Sequence, residues 1–311
     1  MNTVIGLGAP LPPAMQQALA RFGEVRLVGE DTAAMAGCGV YLITPRVRAS
    51  AALISALPPS VGLLASLGVG TDHIDLDAAA ARGLQVSNTP VVTEDTADLA
   101  WALLLATCRR LTRCEALLRQ NDWLASQRVL GTRVHGKTLG IVGFGAIGQA
   151  VARRAQGFGM DLLYHGPRRK PEAEAELSAR YCLSLDELLV QSDIVSLNCP
   201  LGPDTRHIIN ANSLARMKAG AVLINTGRGP LVDEAALVQA LQAGTLGGAG
   251  LDVFEFEPQV TPALLDFDAV TLLPHIGSAT GECRTDMALR VMANIQAWCE
   301  GRPVPDACVP A

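Results

Sequence analysis

Three polar side chains set in glycine- and proline-marked segments are the residues best suited to chemistry: Arg228 in NTGRG, Glu257 in LDVFEFEP and His275 in LPHIGSAT. An imidazole can hand a proton to a developing alkoxide, a carboxylate beside it favours its charged form, and a guanidinium can hold an anionic substrate. Upstream lies Gly143-Phe144-Gly145-Ala146-Ile147-Gly148, the glycine spacing of a turn that receives a dinucleotide pyrophosphate. A nicotinamide would supply the hydride that this set lacks. Together these groups read as machinery for reducing a 2-oxo acid. Taken singly they are weaker: Arg228 can cap a loop, Glu257 can be a surface turn residue before Pro258, and a GxGxxG can be an ordinary tight turn in a chain with 30 glycines.

The elements around the glycine turn strengthen it. TLGIVGFG, opening at Lys137, reads as a strand, and QAVARRAQGFG after it reads as a helix, so backbone amides and a helix N-terminus can meet the pyrophosphate. The next strand, Asp161 to Tyr164, should end at the residue that tests the ribose 2' position, eighteen residues past Gly148. That residue is Gly166, with no carboxylate to repel a phosphate, and Arg168, Arg169 and Lys170 follow. NADPH is the coenzyme this favours, with NADH also accepted; the alternative is a basic loop that faces water.

Alternating apolar runs and helical stretches predict two α/β domains. VIGLG, EVRLV, GVYLIT, GLLASLGVG and LQVSN read as short buried parallel strands, and Thr93 to Arg113 as one long connecting helix. TLGIVGFG, DLLYHG, DIVSLNCP, GAVLINTG, GAGLDVF and AVTLLPHI repeat the pattern, rich in Val, Ile and Leu as strands covered on both faces should be. The expected fold is a doubly wound parallel sheet of Rossmann type over residues 91–280, plus a smaller flavodoxin-like substrate domain from 1–90 and 281–311. The tail, amphipathic from Arg284 to Glu300 and then Pro-rich, is expected to return to the first domain.

Composition excludes other classes. The chain has 311 residues, 49% hydrophobic and 18% charged, with a net charge of -5 and no basic stripe, which argues against nucleic acid and anionic membrane as partners. MNTVIGLGAPLPPAM lacks the basic and apolar regions of a signal peptide, and the uncharged stretch Ala49 to Thr71 is broken by Pro58-Pro59, so a soluble cytoplasmic protein is expected. Eight cysteines without a CxxC pair predict reduced thiols and no metal site. Cys199 in Asn198-Cys199-Pro200 could be a nucleophile, but no base sits in that motif, and small-residue packing beside the cofactor is the better reading.

Six segments resemble the D-isomer-specific 2-hydroxyacid dehydrogenases in order and spacing: LASLGVGTDHIDLDAAAARG, NTPVVTEDTADLAWALLLATCRR, GKTLGIVGFGAIGQAVARR, NTGRGPLVDEAAL, GLDVFEFEP and LPHIGSAT. Within that family, TEDTADLA, TCRRL and the basic segment after Tyr164 look most like glyoxylate and hydroxypyruvate reductases. The resemblance implies that Arg228 holds the substrate's carboxylate and carbonyl oxygen, that His275 is the general acid, and that Glu257 hydrogen-bonds His275. It also implies that the turn Leu67-Gly68-Val69-Gly70 binds the substrate carboxylate through the amides of Val69 and Gly70. Thr96, Gly143, Gly145, Ala146, Ile147, Gly148, Gly166, Arg168, Arg169, Cys199, Pro200, Thr205, Thr226, Asp252 and Ser278 match positions that contact the cofactor, Asp252 facing the nicotinamide amide. Asn121 to Arg133 matches a dimerisation arm, which implies a homodimer. Trp123 in it either plugs the interface or reaches the partner's substrate site.

Pro167 departs from the family's pattern, in which an arginine directly follows the glycine position, so the phosphate contact is left between Arg168 and Arg169. His73, His135, His165 and His207 lie in polar loop or strand-end contexts with no acidic and basic partners in the family's register and read as structural. A dinucleotide-sensing scaffold without catalysis is a second class on the same fold, but such a protein has no need of the trio. Glu257 argues against formate-oxidising relatives, which carry an amide there. Other 2-oxo acids and phosphite oxidation remain alternatives. No further domain follows residue 311, so a feedback-regulated biosynthetic enzyme is the less expected kind.

Overall fold

A computed structural model describes residues 3–310. Met1, Asn2 and Ala311, which close the two ends of the expected substrate domain, lie outside the described residues. The chain divides into two compact units, Met1–Val92 with Ser278–Ala311, and Thr93–Gly277. Among the described residues no helix is long and apolar enough to cross a membrane.

The first unit is built on β1 (Val4–Leu7), β2 (Val25–Leu27), β3 (Cys38–Ile43), β4 (Leu63–Ser66) and β5 (Gln85–Ser87), with β13 (Ala307–Cys308) at the edge. Their order is β13-β5-β4-β3-β1-β2, all parallel except β13, which runs antiparallel to β5. Side-chain alternation along β3 explains why the strand is apolar throughout. Val40 and Leu42 join Ile5, Leu63 and the helix residues Val291 and Ile295 on one face, while Tyr41 and Ile43 join Ile54, Leu64 and Val86 on the other. The helix Gly281–Cys299, capped at its start by the Thr280 hydroxyl on the Cys283 amide, supplies that first face.

The second unit holds β6 (Thr138–Val142), β7 (Asp161–His165), β8 (Ala179–Tyr181), β9 (Ile194–Leu197), β10 (Ala221–Asn225), β11 (Leu246–Leu251) and β12 (Val270–Leu272). All are parallel, in the order β12-β11-β10-β9-β6-β7-β8. The winding direction reverses between β6 and β9, and in such sheets ligands bind outside the carboxyl ends of the strands at that reversal. One face packs on the helix Thr93–Cys108 through Ala97, Trp101 and Leu104; burying a leucine of this kind contributes about 1.5–3 kcal/mol.

The long helix expected over Thr93 to Arg113 is two helices. It stops at Cys108, Arg110 takes a left-handed conformation with φ 56°, and a new helix runs Leu111–Arg119. The break has a tertiary cause: the Cys108 carbonyl accepts the Thr132 amide at 2.7 Å, and the Arg110 guanidinium donates to the Gly247 carbonyl at 2.7 Å. Both partners are remote in sequence, so helical periodicity alone runs through the break. The short strands β8 and β13 add to the expected strands, since three- and two-residue edge strands carry almost no periodic signal.

Candidate active site

At the reversal point the three fingerprint glycines stand in three different environments. Gly143 has φ 90°, and a Cβ there would lie 2.5 Å from the Cys199 amide nitrogen, so the turn after β6 can press against the end of β9 only as glycine. A Cβ at Gly148 would lie 2.2 Å from the Gly143 carbonyl oxygen, which would push the helix Ala146–Ala155 off the turn. At Gly145 a Cβ would meet nothing within 4 Å. That open side lies at the helix N-terminus, where the first-turn amides of Ala146 and Ile147 and the helix dipole suit an anion. Nearby strand ends carry buried polar atoms with no hydrogen-bond partner among the described residues: Asn198 Oδ1 after β9 and Thr226 Oγ1 after β10. Open glycine, helix N-terminus and unpartnered acceptors along one sheet edge fit a dinucleotide.

Beyond β7 the chain turns through Gly166 and Pro167 into the basic run. Gly166 is roomy, its nearest neighbour to an added Cβ being the Phe144 amide at 4.0 Å, and its carbonyl accepts the Tyr181 hydroxyl at 3.1 Å. Arg169 is tied down: its guanidinium donates to both oxygens of Glu174 at 2.8–3.1 Å. Glu174 also accepts the hydroxyl of the buried Tyr164, which in turn accepts the Lys170 amide at 2.7 Å. The Arg169 and Tyr164 hydrogen bonds hold the Glu174 carboxyl down at about 2, well below its ordinary 4.5. Arg168 is exposed and, among the described residues, has no hydrogen-bond or ion-pair partner.

Arg228 follows β10 in a turn that Asn225 closes from both sides, accepting the Gly227 amide at 3.0 Å and donating to the Arg228 carbonyl at 2.9 Å. This is an Asx-type turn, and asparagine just ahead of Thr-Gly is the signal that could have announced it. His275 follows β12 with φ 57°, and its loop is hung on the buried Asp252, whose two oxygens accept the amides of Ile276 at 2.8 Å and Gly277 at 2.9 Å. Burial pushes the Asp252 carboxyl up, and those amides oppose the shift.

The Nδ1 atom of His275 lies 2.8 Å from Glu257 Oε2, and Glu257 Oε1 accepts the Phe254 amide at 3.0 Å. Burial works against the Glu257 charge, but the His275 and Phe254 hydrogen bonds and the charges of His275 and Arg228 outweigh it, so the carboxyl sits below its ordinary value. An Nδ1 committed to a carboxylate leaves Nε2 as the ring nitrogen for a reacting atom.

Other residues singled out from sequence fall as follows. Thr96 is buried, its hydroxyl 3.5 Å from the Gly277 carbonyl. Thr205 closes the loop after Pro200, accepting the Gly202 amide and donating to the Pro200 carbonyl, both at 2.8 Å. Cys199 is buried, and burial pushes its thiol up to about 11, which suits packing and not nucleophilic attack. Ser278, three residues after His275 in sequence, is half-buried.

In the first unit, the turn after β4 is held at two of its carbonyls. The Gly68 carbonyl accepts the Thr89 amide at 3.0 Å, and the Val69 carbonyl accepts Asn88 Nδ2 at 2.7 Å. Asn88 is itself held by Asn294, fully buried in the last helix, at 3.0 Å. Neither asparagine was legible in sequence, since 206 residues separate them. His207, read as structural, meets Glu255, which lies 2.6 Å from its Nε2 and 48 residues along the chain.

A doubly wound sheet with a glycine turn at its reversal, and an imidazole–carboxylate pair and a guanidinium on loops at its carboxyl edge, defines a dinucleotide-dependent oxidoreductase. Residues 101–277 match the family model of the D-isomer specific 2-hydroxyacid dehydrogenase, NAD binding domain. The chain is 48% identical over 255 residues to a glyoxylate reductase of Thermococcus litoralis, covering 80% of this chain and 77% of that one. Its fold superposes on a glyoxylate reductase of Paecilomyes thermophila with a TM-score of 0.91 at 37% identity, covering 98% of each chain. An NADPH-dependent glyoxylate/hydroxypyruvate reductase of Sinorhizobium meliloti, solved with NADP and malonate, gives 0.91 at 36% identity, covering 99% of this chain and 97% of that one. The chain belongs to the D-isomer-specific 2-hydroxyacid dehydrogenase family and is an NAD(P)-dependent dehydrogenase.

Proposed function

We propose that the protein reduces small 2-oxo acids, glyoxylate and hydroxypyruvate foremost, to glycolate and D-glycerate, with NADPH as its better coenzyme. The observation that carries this reading is the His275–Glu257 pair at 2.8 Å, with Arg228 close enough to influence the carboxyl. The nicotinamide, when bound, supplies the hydride to the carbonyl carbon. The protein's own groups do the rest. Arg228 grips the carboxylate and carbonyl oxygen of the substrate, and the amides of Val69 and Gly70 take its carboxylate. His275 passes the Nε2 proton to the carbonyl oxygen as negative charge develops there, and Glu257 stabilises the imidazolium before transfer. Asp252 positions the imidazole through its grip on the loop.

For the coenzyme, Gly166 leaves no negative charge at the 2' position. Arg168 is the guanidinium at liberty to meet a 2'-phosphate, since Arg169 is committed to Glu174. The nicotinamide-dinucleotide readings of Thr96, Cys199, Pro200, Thr205, Thr226 and Ser278 belong to the same proposal. So does a two-fold homodimer: within the arm, the helix Trp123–Arg128 and the segment after it leave Trp123 59%, Leu124 65% and Leu130 87% exposed, apolar surface suited to a second copy. Scattered cysteines without CxxC spacing support a cytoplasmic enzyme.

Initial rates with glyoxylate, hydroxypyruvate, pyruvate and phenylpyruvate, each with NADPH and NADH, test the proposal. The highest kcat/KM is expected for glyoxylate or hydroxypyruvate with NADPH. A clear preference for phenylpyruvate, or no turnover of any 2-oxo acid, would sink the substrate reading.

A further inference from the structure

The turn that carries Arg228 and the turn that leads to Glu257 meet backbone to backbone. A Cβ at Gly229 would lie 1.8 Å from the Phe254 carbonyl oxygen, so the contact exists only because position 229 has no side chain. Beside it two carboxylates cross. Glu234, 2% exposed, accepts the amide of Glu255 at 2.6 Å, and Glu255, its side chain 7% exposed, accepts the amide of Glu234 at 3.5 Å. Each acid therefore holds the other's backbone.

Both carboxylates have further partners. Glu234 accepts the Thr261 hydroxyl, and Glu255 faces His207 Nε2 at 2.6 Å and the Arg206 guanidinium at 3.0 Å. His207 closes the circuit by donating its amide to the Pro230 carbonyl at 2.8 Å, two residues after Arg228. Burying two carboxylates is costly unless their hydrogen bonds are complete. Apolar packing would join the turns more cheaply but would let them slide, whereas amide-to-carboxylate bonds set a register.

We propose that Glu234 and Glu255 are positioning residues for the reduction: their crossed bonds set the distance between Arg228 on one turn and the Glu257–His275 pair on the other. This rests on the reading of those three residues as the reductase machinery. The brace itself predicts that Arg228 loses its alignment with the imidazole when either carboxylate is lost, while the dinucleotide turn at Gly143–Gly148 is untouched.

The test compares Glu234→Gln, Glu255→Gln, the double variant and the milder Thr261→Val, which removes one donor to Glu234 and keeps the shape. Expected for Glu234→Gln is a fall in kcat for glyoxylate of about 10-fold or more, the scale on which misplaced groups act, with the Kd for NADPH, read by fluorescence, within about twofold. The double variant should lose no more than the worse single one, because one brace is broken in each. Hydrogen exchange at the Glu255 amide should quicken in both Glu234 variants, and Thr261→Val should show the same effects in smaller degree. A folded Glu234→Gln or Thr261→Val enzyme with faster exchange but unchanged kcat overturns the proposal, as does a parallel loss of kcat and NADPH affinity. Should the unmodified enzyme turn over no 2-oxo acid, the functional reading fails, and exchange at Glu255 still decides whether the brace exists.

Discussion

Glu257 presents one carboxylate oxygen to His275 Nδ1 at 2.8 Å and the other to the Phe254 amide at 3.0 Å, so the acid is clamped to its own turn while it orients the imidazole. The clamp matters because His275 is 43% exposed in its side chain and sits on a loop at positive φ, with little packing of its own to hold the ring. Removing the proposed proton donor should therefore affect chemistry far more than folding. His275→Ala is expected to lower kcat for reduction by roughly 100-fold or more, the range for a lost general acid, with coenzyme affinity nearly intact. Stopped-flow or steady-state rates across neutral pH check it, and near-normal kcat would remove His275 from the mechanism.

Arg228→Lys should be nearly as damaging as Arg228→Ala. A point ammonium cannot reproduce a planar fork on a carboxylate. Steady-state kinetics with glyoxylate decide the matter: a lysine variant of ordinary activity would show that charge alone suffices.

The commitment of Arg169 to Glu174 leads to an asymmetric expectation for the coenzyme. Arg168→Ala should erode the NADPH over NADH ratio in kcat/KM by about 10-fold through KM for NADPH, the worth of a charge-assisted hydrogen bond. Arg169→Ala should change it less. Gly166→Asp, for which there is room, should turn the preference toward NADH by repulsion. Equal kcat/KM for both coenzymes in the unmodified enzyme would mean that the basic run only faces water.

The same carboxylate governs a pH effect. The folded Glu174 carboxyl, at about 2, lies below its ordinary 4.5, so its contribution to stability is complete above about 4.5 and is lost as pH falls toward 2. Chemical denaturation at several pH values should show the unmodified protein losing stability over that window more steeply than Glu174→Gln. Identical slopes would contradict the tight Arg169–Glu174–Tyr164 grouping.

The exposed Trp123, Leu124 and Leu130 lead to a prediction about assembly. Sedimentation at micromolar concentration should give a dimer, and Trp123→Glu with Leu130→Glu should give a folded monomer. A monomer in the unmodified protein would refute the arm as an interface.

Much of the fold was legible because its signals are local. Val-, Ile- and Leu-rich runs bounded by glycine, proline and aspartate mark strands buried on both faces, and the order of those runs is enough to specify two parallel α/β sheets. The glycines at 143, 145 and 148 likewise announce a tight turn by their spacing, although the close approach that demands glycine at 143 comes from Cys199 on another strand. Other features depend on partners brought close only by folding. The helix ends at Cys108 because Thr132 and Gly247 capture groups at its end, and Arg169 is distinguished from Arg168 only by where Glu174 and Tyr164 come to rest. His207 meets Glu255 across 48 residues, and Asn294 reaches Asn88 across 206. Sequence determined which residue types stand at which strand ends, because periodicity and turn chemistry are properties of neighbours. Tertiary structure decided which of those polar groups are spent on one another and which are left for a ligand, because a hydrogen bond is satisfied by distance in space and not by distance along the chain.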